Sequence, residues 1–442
     1  MTAEVAILNR SAAVLAADSA VTLRAGKRTK VFNTANKLHL LVEDAPVGVM
    51  VSGSPDLLQV PWETIIKLYR RERDGKVFPS LKRHADDLFK FIRERVGVYF
   101  PAEVQRDAIR ARVESVYWKL QSLIEKWIKS AEKQQRPPLE SIRAFTDTTV
   151  DDFCRDLRQY GFLDGWGPSE ASVVRTEYES DFARTRDEVF DKRYLSAGTA
   201  DLLISIAVDL IIRRHPFGEK SQVVVAGYGE RELFPSLKVF HVHGVAMNRL
   251  LYAAAGGDAI THEARAWIGQ FAQGGMVSTF MNGIDPVLRR HVDELVEAAF
   301  VGLPEAVLSA MPDLTDETHR GLGEILRWAT SNLAEELGQG IVSYMLQYHA
   351  RPVLETIALI PKEEIAQVAE ALVNLISMKR RVMMMPETVG GPVDVAVITK
   401  GDGFVWVRRK HYFDPALNPR VIGKYSRDRG TKPTSNDRKE LE

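Results

Sequence analysis

A threonine at the start of the chain has the chemistry of a nucleophile. Thr2 follows Met1, Asp18 stands sixteen residues later, and Lys37 lies in the apolar stretch 36–41. A threonine hydroxyl attacks poorly unless a nearby base takes its proton. An N-terminal threonine can use its own α-amine, whose ordinary pKa of roughly 7.7 to 8.0 leaves a useful neutral fraction near pH 7. This chemistry requires the loss of Met1, which we expect because the side chain at position 2 is small.

The elements that must position these residues begin with strands. Apolar runs at 5–8 and 12–17, separated by a polar break, predict a hairpin that ends at Asp18. Alternating apolar residues predict two further strands, at 36–41 and 46–56. We therefore expect the chain to form a sheet from its first residues, with residue 2 at a fixed place in it.

Long helical patterns separate these strands from others near the middle and the end of the chain. Strand patterns return at 221–229, at 237–244 and in a closing hairpin near the C-terminus. Strands and helices segregated in this way favour an α+β fold, with mainly antiparallel sheets covered by helices. We divide the chain into an N-terminal part of the core at 1–100, a helical insertion at 101–195, a central part of the core at 196–284, a second helical insertion at 285–358, a C-terminal part of the core at 359–415 and a polar tail at 416–442.

Composition excludes several classes of protein. The 442 residues carry 59 basic and 59 acidic side chains, so no net field attracts nucleic acid or an anionic membrane surface. Cys154 is the single cysteine, which excludes an intramolecular disulfide and suits a reducing compartment. No apolar run is long enough to cross a membrane, and Arg10 and Asp18 interrupt the pattern of a signal peptide. We expect a cytoplasmic protein without nucleic-acid or membrane partners.

Four segments carry a resemblance to a known family: TAEVAILNRSAAVLAADSAVTL, NKLHLL, VSGSPDLL and GGPVDVAVITKGDGFVWV. Their order and content resemble the β-type subunits of the proteasome core particle and the related bacterial threonine peptidases, which are N-terminal nucleophile (Ntn) hydrolases. With the strand pair at 221–244, they cover about half of the chain. The resemblance implies a four-layer αββα Ntn-hydrolase sandwich, into which the two helical blocks are inserted.

The resemblance also assigns roles to residues. Thr2 becomes the nucleophile, and Lys37 on a neighbouring strand brings an ammonium close to its hydroxyl, which favours the developing negative charge and lowers the proton affinity of the amine. Asp18 pairs with Lys37 and orients it. The oxyanion formed on attack needs backbone N–H donors. We assign that role to Met50, with Gly48 as the alternative, and a methionine side chain there would narrow the cleft.

Two further sets of supporting residues follow from the same family. A supporting serine is expected in the small-residue stretch after the central strands, where the candidates are Gly269, Gln270, Gly274, Gly275 and Ser278. An Asp and a Ser are expected before the closing glycine pair. There the chain has Glu387, Thr388 and Val389, so the valine replaces the serine, and Glu387 and Thr388 are the residues that could compensate.

No motif indicates a cofactor. His241 and His243 alternate along one strand, but no third ligand follows at a suitable spacing, so we expect a structural role and no metal. The phosphate-binding pattern G-x-x-x-x-G-K-[ST] does not occur. An ATP-dependent unfoldase, if one serves this protein, must therefore be a separate chain.

The expected function is a threonine-type peptidase that hydrolyses peptide bonds in peptides or unfolded polypeptides. Two alternatives remain: an assembly or binding protein that keeps the fold with reduced or lost catalysis, which Met50 and Val389 favour, and an amidase for a small amide, since one fold serves several substrates. We also expect a homo-oligomer, because the family forms closed rings and the two insertions can extend or block such contacts.

Overall fold

A computed structural model gives the fold for residues 3–25, 28–73, 75–133, 137–272, 275–312, 315–383, 389–411 and 413–420. Within these ranges the strands are β1 Ala3–Asn9, β2 Ala13–Ala17, β3 Val21–Ala25, β4 Arg28–Phe32, β5 Leu38–Leu40, β6 Val47–Gly53, β7 Asp56–Leu57, β8 Val60–Pro61, β9 Ser221–Gly227, β10 Ser236–Ala246, β11 Arg249–Ala259, β12 Ala266–Ala272, β13 Asp394–Thr399 and β14 Gly403–Arg408. The α-helices are α1 Trp62–Glu72, α2 Leu81–Tyr99, α3 Ala102–Ala131, α4 Leu139–Arg158, α5 Pro168–Val189, α6 Ala197–Ile212, α7 Gly275–Asn282, α8 Pro286–Ser309, α9 Asp316–Met345, α10 Arg351–Ile357 and α11 Lys362–Val382.

Ten of these strands form two five-stranded antiparallel sheets. Sheet I has the order β12-β1-β2-β13-β14, and sheet II has the order β11-β10-β9-β6-β5. The predicted opening hairpin is β1 and β2, in which Glu4 pairs with Ala17. The closing hairpin, β13 and β14, adds to the same sheet through pairing of β13 with β2. Strands from the two ends of the chain thus lie side by side.

The two sheets pack face to face, and helices cover their outer faces. Because side chains alternate across a strand, one set from sheet I, such as Leu15 and Ile398, meets Met50 and Val224 of sheet II. The opposite set of sheet I packs against α11. The outer face of sheet II packs in the same way against α1 and α2. The α+β class predicted from the sequence is confirmed.

The first helical block packs around one core. Helices α3, α4, α5 and α6 share one hydrophobic core, which also includes Ala246 and Leu251 at one end of sheet II. The sequence prediction ended this block at residue 195, whereas α6 continues it to Ile212. Strands β11 and β12 and the β3–β4 hairpin were not predicted at all.

The second helical block is a hairpin of α8 and α9 with an unusually apolar surface. Helix α9 buries only Gly323 and Thr330, while Ile325 and Trp328 are 63% and 69% exposed. In the part of the chain that the structure covers, no helix combines the length and the apolar character needed to cross a membrane. Most of the predicted polar tail lies outside the described residues.

Candidate active site

Asp18 is the centre of the predicted site. It follows β2 directly, is 1% exposed, and accepts hydrogen bonds from two groups through Oδ1. The ammonium of Lys37 lies 2.5 Å from that oxygen, and the backbone N–H of Ala3 lies 3.0 Å from it. The structure therefore brings Asp18 and Lys37 together, as the resemblance implies, and attaches both to the start of β1.

The second oxygen of Asp18 is held just as firmly. Oδ2 accepts from the N–H groups of Ala20 at 3.2 Å and Gly390 at 2.9 Å. The loop before β13 is fixed in turn, because the Ser19 N–H donates to the Gly390 carbonyl at 3.1 Å and the Ser19 hydroxyl donates to the Pro392 carbonyl at 2.5 Å. Four donors from separate parts of the chain thus fix this carboxylate in one orientation.

Lys37 approaches from the other sheet. Its carbonyl accepts the Val51 N–H at 2.9 Å, and the Ala35 N–H two residues earlier donates to the Ser19 carbonyl at 3.0 Å. Lys37 is 7% exposed, so the ion pair with Asp18 is buried and bridges sheets I and II. A buried pair of this kind is stable only when further hydrogen bonds compensate for its lost hydration, and the N–H donors around Asp18 supply them.

Thr2, the predicted nucleophile, lies outside the described residues. Its neighbour Ala3 is fixed on both sides of its peptide unit: the N–H donates to the Asp18 carboxylate, and the carbonyl accepts the Asp18 N–H at 3.0 Å. Ala3 also pairs with Ala272 of β12. The residue that follows the predicted nucleophile is therefore hydrogen-bonded directly to the carboxylate that holds Lys37. Glu387, Thr388 and Gly274 also lie outside the described residues.

The predicted oxyanion donors, Met50 and Gly48, do not lie at this pair. Along β6 the N–H groups of alternate residues point to opposite neighbours, and Val51 donates toward the β5 side. Met50 and Gly48 therefore direct their N–H groups toward β9, where they pair with Val224 and Ala226. The Met50 side chain is fully buried between the sheets.

Gly48 has a packing role instead. A Cβ there would lie 2.8 Å from both Ile398 and Phe404, so the missing side chain lets sheet I approach.

Gly53 is a second backbone N–H on this strand, and the sequence analysis did not name it as a candidate donor. It is the next residue after Val51 whose N–H points away from β9, and no described residue on that side accepts it. Its φ of +81° suits glycine, and a Cβ would lie 2.2 Å from the Lys220 carbonyl. The signal was present in the segment VSGSPDLL, where the glycine ends the strand just beyond the Lys37 pairing position.

The predicted supporting residues near β12 serve the local fold. The Gln270 side-chain oxygen accepts the Ser278 N–H at 3.1 Å and so fixes the start of α7. Gly269 is covered by the Trp267 ring, which would meet a Cβ at 1.7 Å. Gly275 begins α7 at an exposed position.

Val389 packs in the core between sheet I and α11. Among the described residues, neither this side chain nor those near β12 hydrogen-bonds to Asp18 or Lys37.

A neutral histidine lies two residues from Lys37. Burial lowers the pKa of His39 to about 4; Glu63 opposes the shift, and Arg70 adds to it. The imidazole is therefore uncharged at pH 7. A neutral imidazole does not compete with the Lys37 ammonium for Asp18.

The sequence analysis expected a structural role for His241 and His243. Within the described residues no cluster of three or more His, Cys, Asp or Glu could hold a metal ion. His241 contacts Gln222, with 3.2 Å between the two side-chain nitrogens, while His243 lies against His215. No protein-family model matches the chain, and no curated protein matches it.

Proposed function

We propose that the protein is a threonine-type peptidase of the proteasome-related Ntn-hydrolase class, with Thr2 as its nucleophile after removal of Met1. The observation that carries this proposal is the Asp18 carboxylate, which accepts both the Lys37 ammonium and the Ala3 N–H through one oxygen. That oxygen ties the predicted ammonium to the residue that follows the predicted nucleophile. Asp18 is the orienting group, and Lys37 stabilises negative charge on the attacking oxygen.

The reaction proceeds through an ester. The Thr2 hydroxyl attacks the carbonyl carbon of the scissile amide, and its proton passes through the α-amine to the leaving amine as the C–N bond breaks. Water then attacks the ester carbonyl, gives a proton to the α-amine, and releases the acid together with the free hydroxyl. Atoms balance as one amide and one water giving one acid and one amine, with no redox step.

Gly53 supplies an N–H to the oxyanion in this proposal. Its free donor lies on the β6 edge that pairs with Lys37. A preorganised N–H aimed at the developing charge contributes typically 10²- to 10³-fold to the rate. Met50, whose side chain is buried between the sheets, does not narrow a cleft. The Met50 side chain is therefore no longer an argument for the alternative of a protein with reduced or lost catalysis.

The arrangement of layers supports the Ntn-hydrolase fold as the finer assignment. Two antiparallel sheets pack together, with α11 outside one and α1 and α2 outside the other. We assign the αββα sandwich to this core and treat the blocks α3–α6 and α8–α9 as insertions. The single cysteine suits a cytoplasmic location.

Self-association is part of the proposal. The α8–α9 hairpin exposes large apolar side chains along both helices, including Leu295, Val301, Ile325 and Trp328. Monomeric proteins rarely leave contiguous apolar patches of this kind uncovered. We assign this surface to a second copy of the chain, with peptides or unfolded polypeptides as substrates and any ATP-dependent unfoldase as a separate partner.

Labelling of Thr2 tests the proposal. The full chain, expressed in a host with methionine aminopeptidase, is treated with a peptide epoxyketone and measured by intact mass. We expect loss of Met1 and one adduct, no adduct for Thr2→Ala, and an undiminished adduct for Thr148→Ala, which changes an exposed threonine in α4. Retention of Met1 on all molecules, or equal labelling of Thr2→Ala, would contradict the mechanism.

A further inference from the structure

A second polar site lies at the end of sheet II, against helix α3. A cavity of about 800 Å³ is bounded there by Arg112 of α3, by Lys220 before β9 and by His243 of β10. This volume is within the range of small-molecule sites, roughly 300 to 1,000 Å³. Apolar side chains such as Leu57, Ala108 and Val242 form other parts of its wall.

The two cations of this cavity have no anionic partner among the residues that the structure describes. Neither Arg112 nor Lys220 forms an ion pair with any residue in the described ranges, and the buried Nη1 of Arg112 has no hydrogen-bond acceptor there. Burial lowers the pKa of Arg112 to about 10, which leaves the guanidinium charged at neutral pH. Burial also lowers the pKa of Lys220. A charge taken out of water without a partner costs several kcal/mol.

The Arg112 side chain lies close to the backbone at two glycines. An ideal Cβ on Gly218 would lie 3.4 Å from Arg112 Cγ, and one on Gly244 would lie 3.4 Å from Nη2. Next to the guanidinium is His243, which is 4% exposed and whose Nδ1 is buried without a partner among the described residues. A register shift in β10 between Val242 and Gly244 brings this histidine out of the regular alternation.

Three carboxylates also line the cavity, and in the described ranges none of them forms an ion pair with Arg112 or Lys220. Asp56 accepts the Gln59 N–H at 3.3 Å, and Asp107 pairs with Arg110 at 3.2 Å. Glu219 is exposed to solvent. The neighbouring histidines are neutral, since burial, together with the nearby Arg112, lowers the pKa of His215 to about 4. The positive charge of the cavity therefore comes from Arg112 and Lys220.

We propose that this cavity binds a small anionic molecule whose phosphate or carboxylate group pairs with Arg112 and Lys220. The planar guanidinium fork matches both kinds of oxyanion. The apolar wall accommodates the body of a ligand larger than a free ion. Neither Asp18 nor Lys37 lines this cavity, and the anion proposal does not depend on the peptidase proposal.

Titration of the full chain with two probes tests the site. Inorganic phosphate and succinate are added separately, with sodium chloride at matched ionic strength as the reference, and binding is followed by calorimetry and thermal unfolding. We expect at least one probe to bind and to raise the unfolding temperature beyond the chloride reference, because a ligand of the folded state stabilises it. The probe that binds distinguishes a phosphate ligand from a carboxylate ligand.

Matched variants assign that binding. Arg112→Gln should lower the affinity for the probe by at least about tenfold, and Lys220→Gln should also lower it. Arg155→Gln, at an exposed position on α4, should leave the affinity unchanged. Without a probe, Arg112→Gln should unfold at the same or a higher temperature, since it removes an unpaired charge.

Three results would overturn the proposal. The first is a wild-type protein that responds to neither probe. The second is an Arg112→Gln variant that binds as tightly as wild type. The third is a lower unfolding temperature for Arg112→Gln without any probe, because Arg112 would then already have its partner in the protein.

Discussion

Replacement of Asp18 by asparagine separates the two roles of the buried ion pair. The asparagine side chain would keep the shape of the aspartate but remove the charge that faces Lys37, whose ammonium lies 2.5 Å from Oδ1. Leaving one member of a buried pair uncompensated costs about 3–5 kcal/mol. Since both partners are less than 10% exposed, solvent screening does not reduce that figure much.

This loss of unfolding free energy can be measured by thermal unfolding. A chain of 442 residues has an unfolding entropy of roughly 0.9 kcal/mol/K when it unfolds as one unit. Asp18→Asn should therefore lower the unfolding temperature by about 3–5 °C. Activity toward a fluorogenic peptide, and the rate of epoxyketone labelling, should fall by at least the roughly 10²-fold that acid–base and orienting groups typically contribute.

A double variant distinguishes a structural role from a catalytic one. Asp18→Asn combined with Lys37→Met leaves no unpaired charge, so it should recover most of the lost stability. It should not recover labelling, because the ammonium that stabilises the nucleophile is gone. The matched control is Asp44→Asn, at an exposed position, which should change neither quantity.

Two outcomes would refute this reasoning. Asp18→Asn could unfold like the wild type and label at the same rate, in which case the pair contributes nothing. Alternatively, the double variant could label as fast as the wild type, in which case Lys37 has no part in the chemistry.

Three further predictions concern other parts of the protein. His215 has a pKa of about 4 in the fold against an ordinary 6.5, so the unfolded chain binds more protons and stability falls with pH below 6.5. Between pH 7 and pH 5 the free energy of unfolding should fall by about 2 kcal/mol more in wild type than in His215→Gln, with His291→Gln as the unchanged control, measured in urea. Gly53→Ala should abolish labelling and destabilise the fold, because its Cβ would meet the Lys220 carbonyl at 2.2 Å; full labelling would exclude Gly53 as the donor. Trp328→Glu should reduce the size of the assembly in light scattering, and an unchanged mass would remove α9 from the interface.

Strands with strong apolar runs were predicted from the sequence, and strands without them were not. Two apolar runs and a polar break predict the hairpin β1–β2. Both faces of its strands are buried, which explains why apolar and polar residues do not alternate along them. Strand β11 ends in AAAGGDA, which has little intrinsic preference for a strand. It forms because it pairs along β10, and that partner is not visible locally in the sequence.

The candidate site divides in the same way. Asp18 and Lys37 could be assigned because their positions relative to the strand patterns resemble a known family, and the predicted pair is present. The Gly53 N–H could not be assigned from the sequence, since the direction of each N–H group depends on which edge of β6 faces β9. Only the pairing register shows that Met50 donates within sheet II and that Gly53 does not.

The contacts of the Asp18–Lys37 pair come from several separate parts of the core. Asp18 belongs to sheet I, Lys37 reaches it from sheet II, and the Gly390 N–H arrives from the loop before the closing hairpin. Asp18 and Gly390 stand 372 positions apart in the sequence, so no part of the chain up to the second insertion can orient the carboxylate completely. The carboxylate that holds Lys37 therefore has its full set of hydrogen bonds only when the loop before β13 is in place.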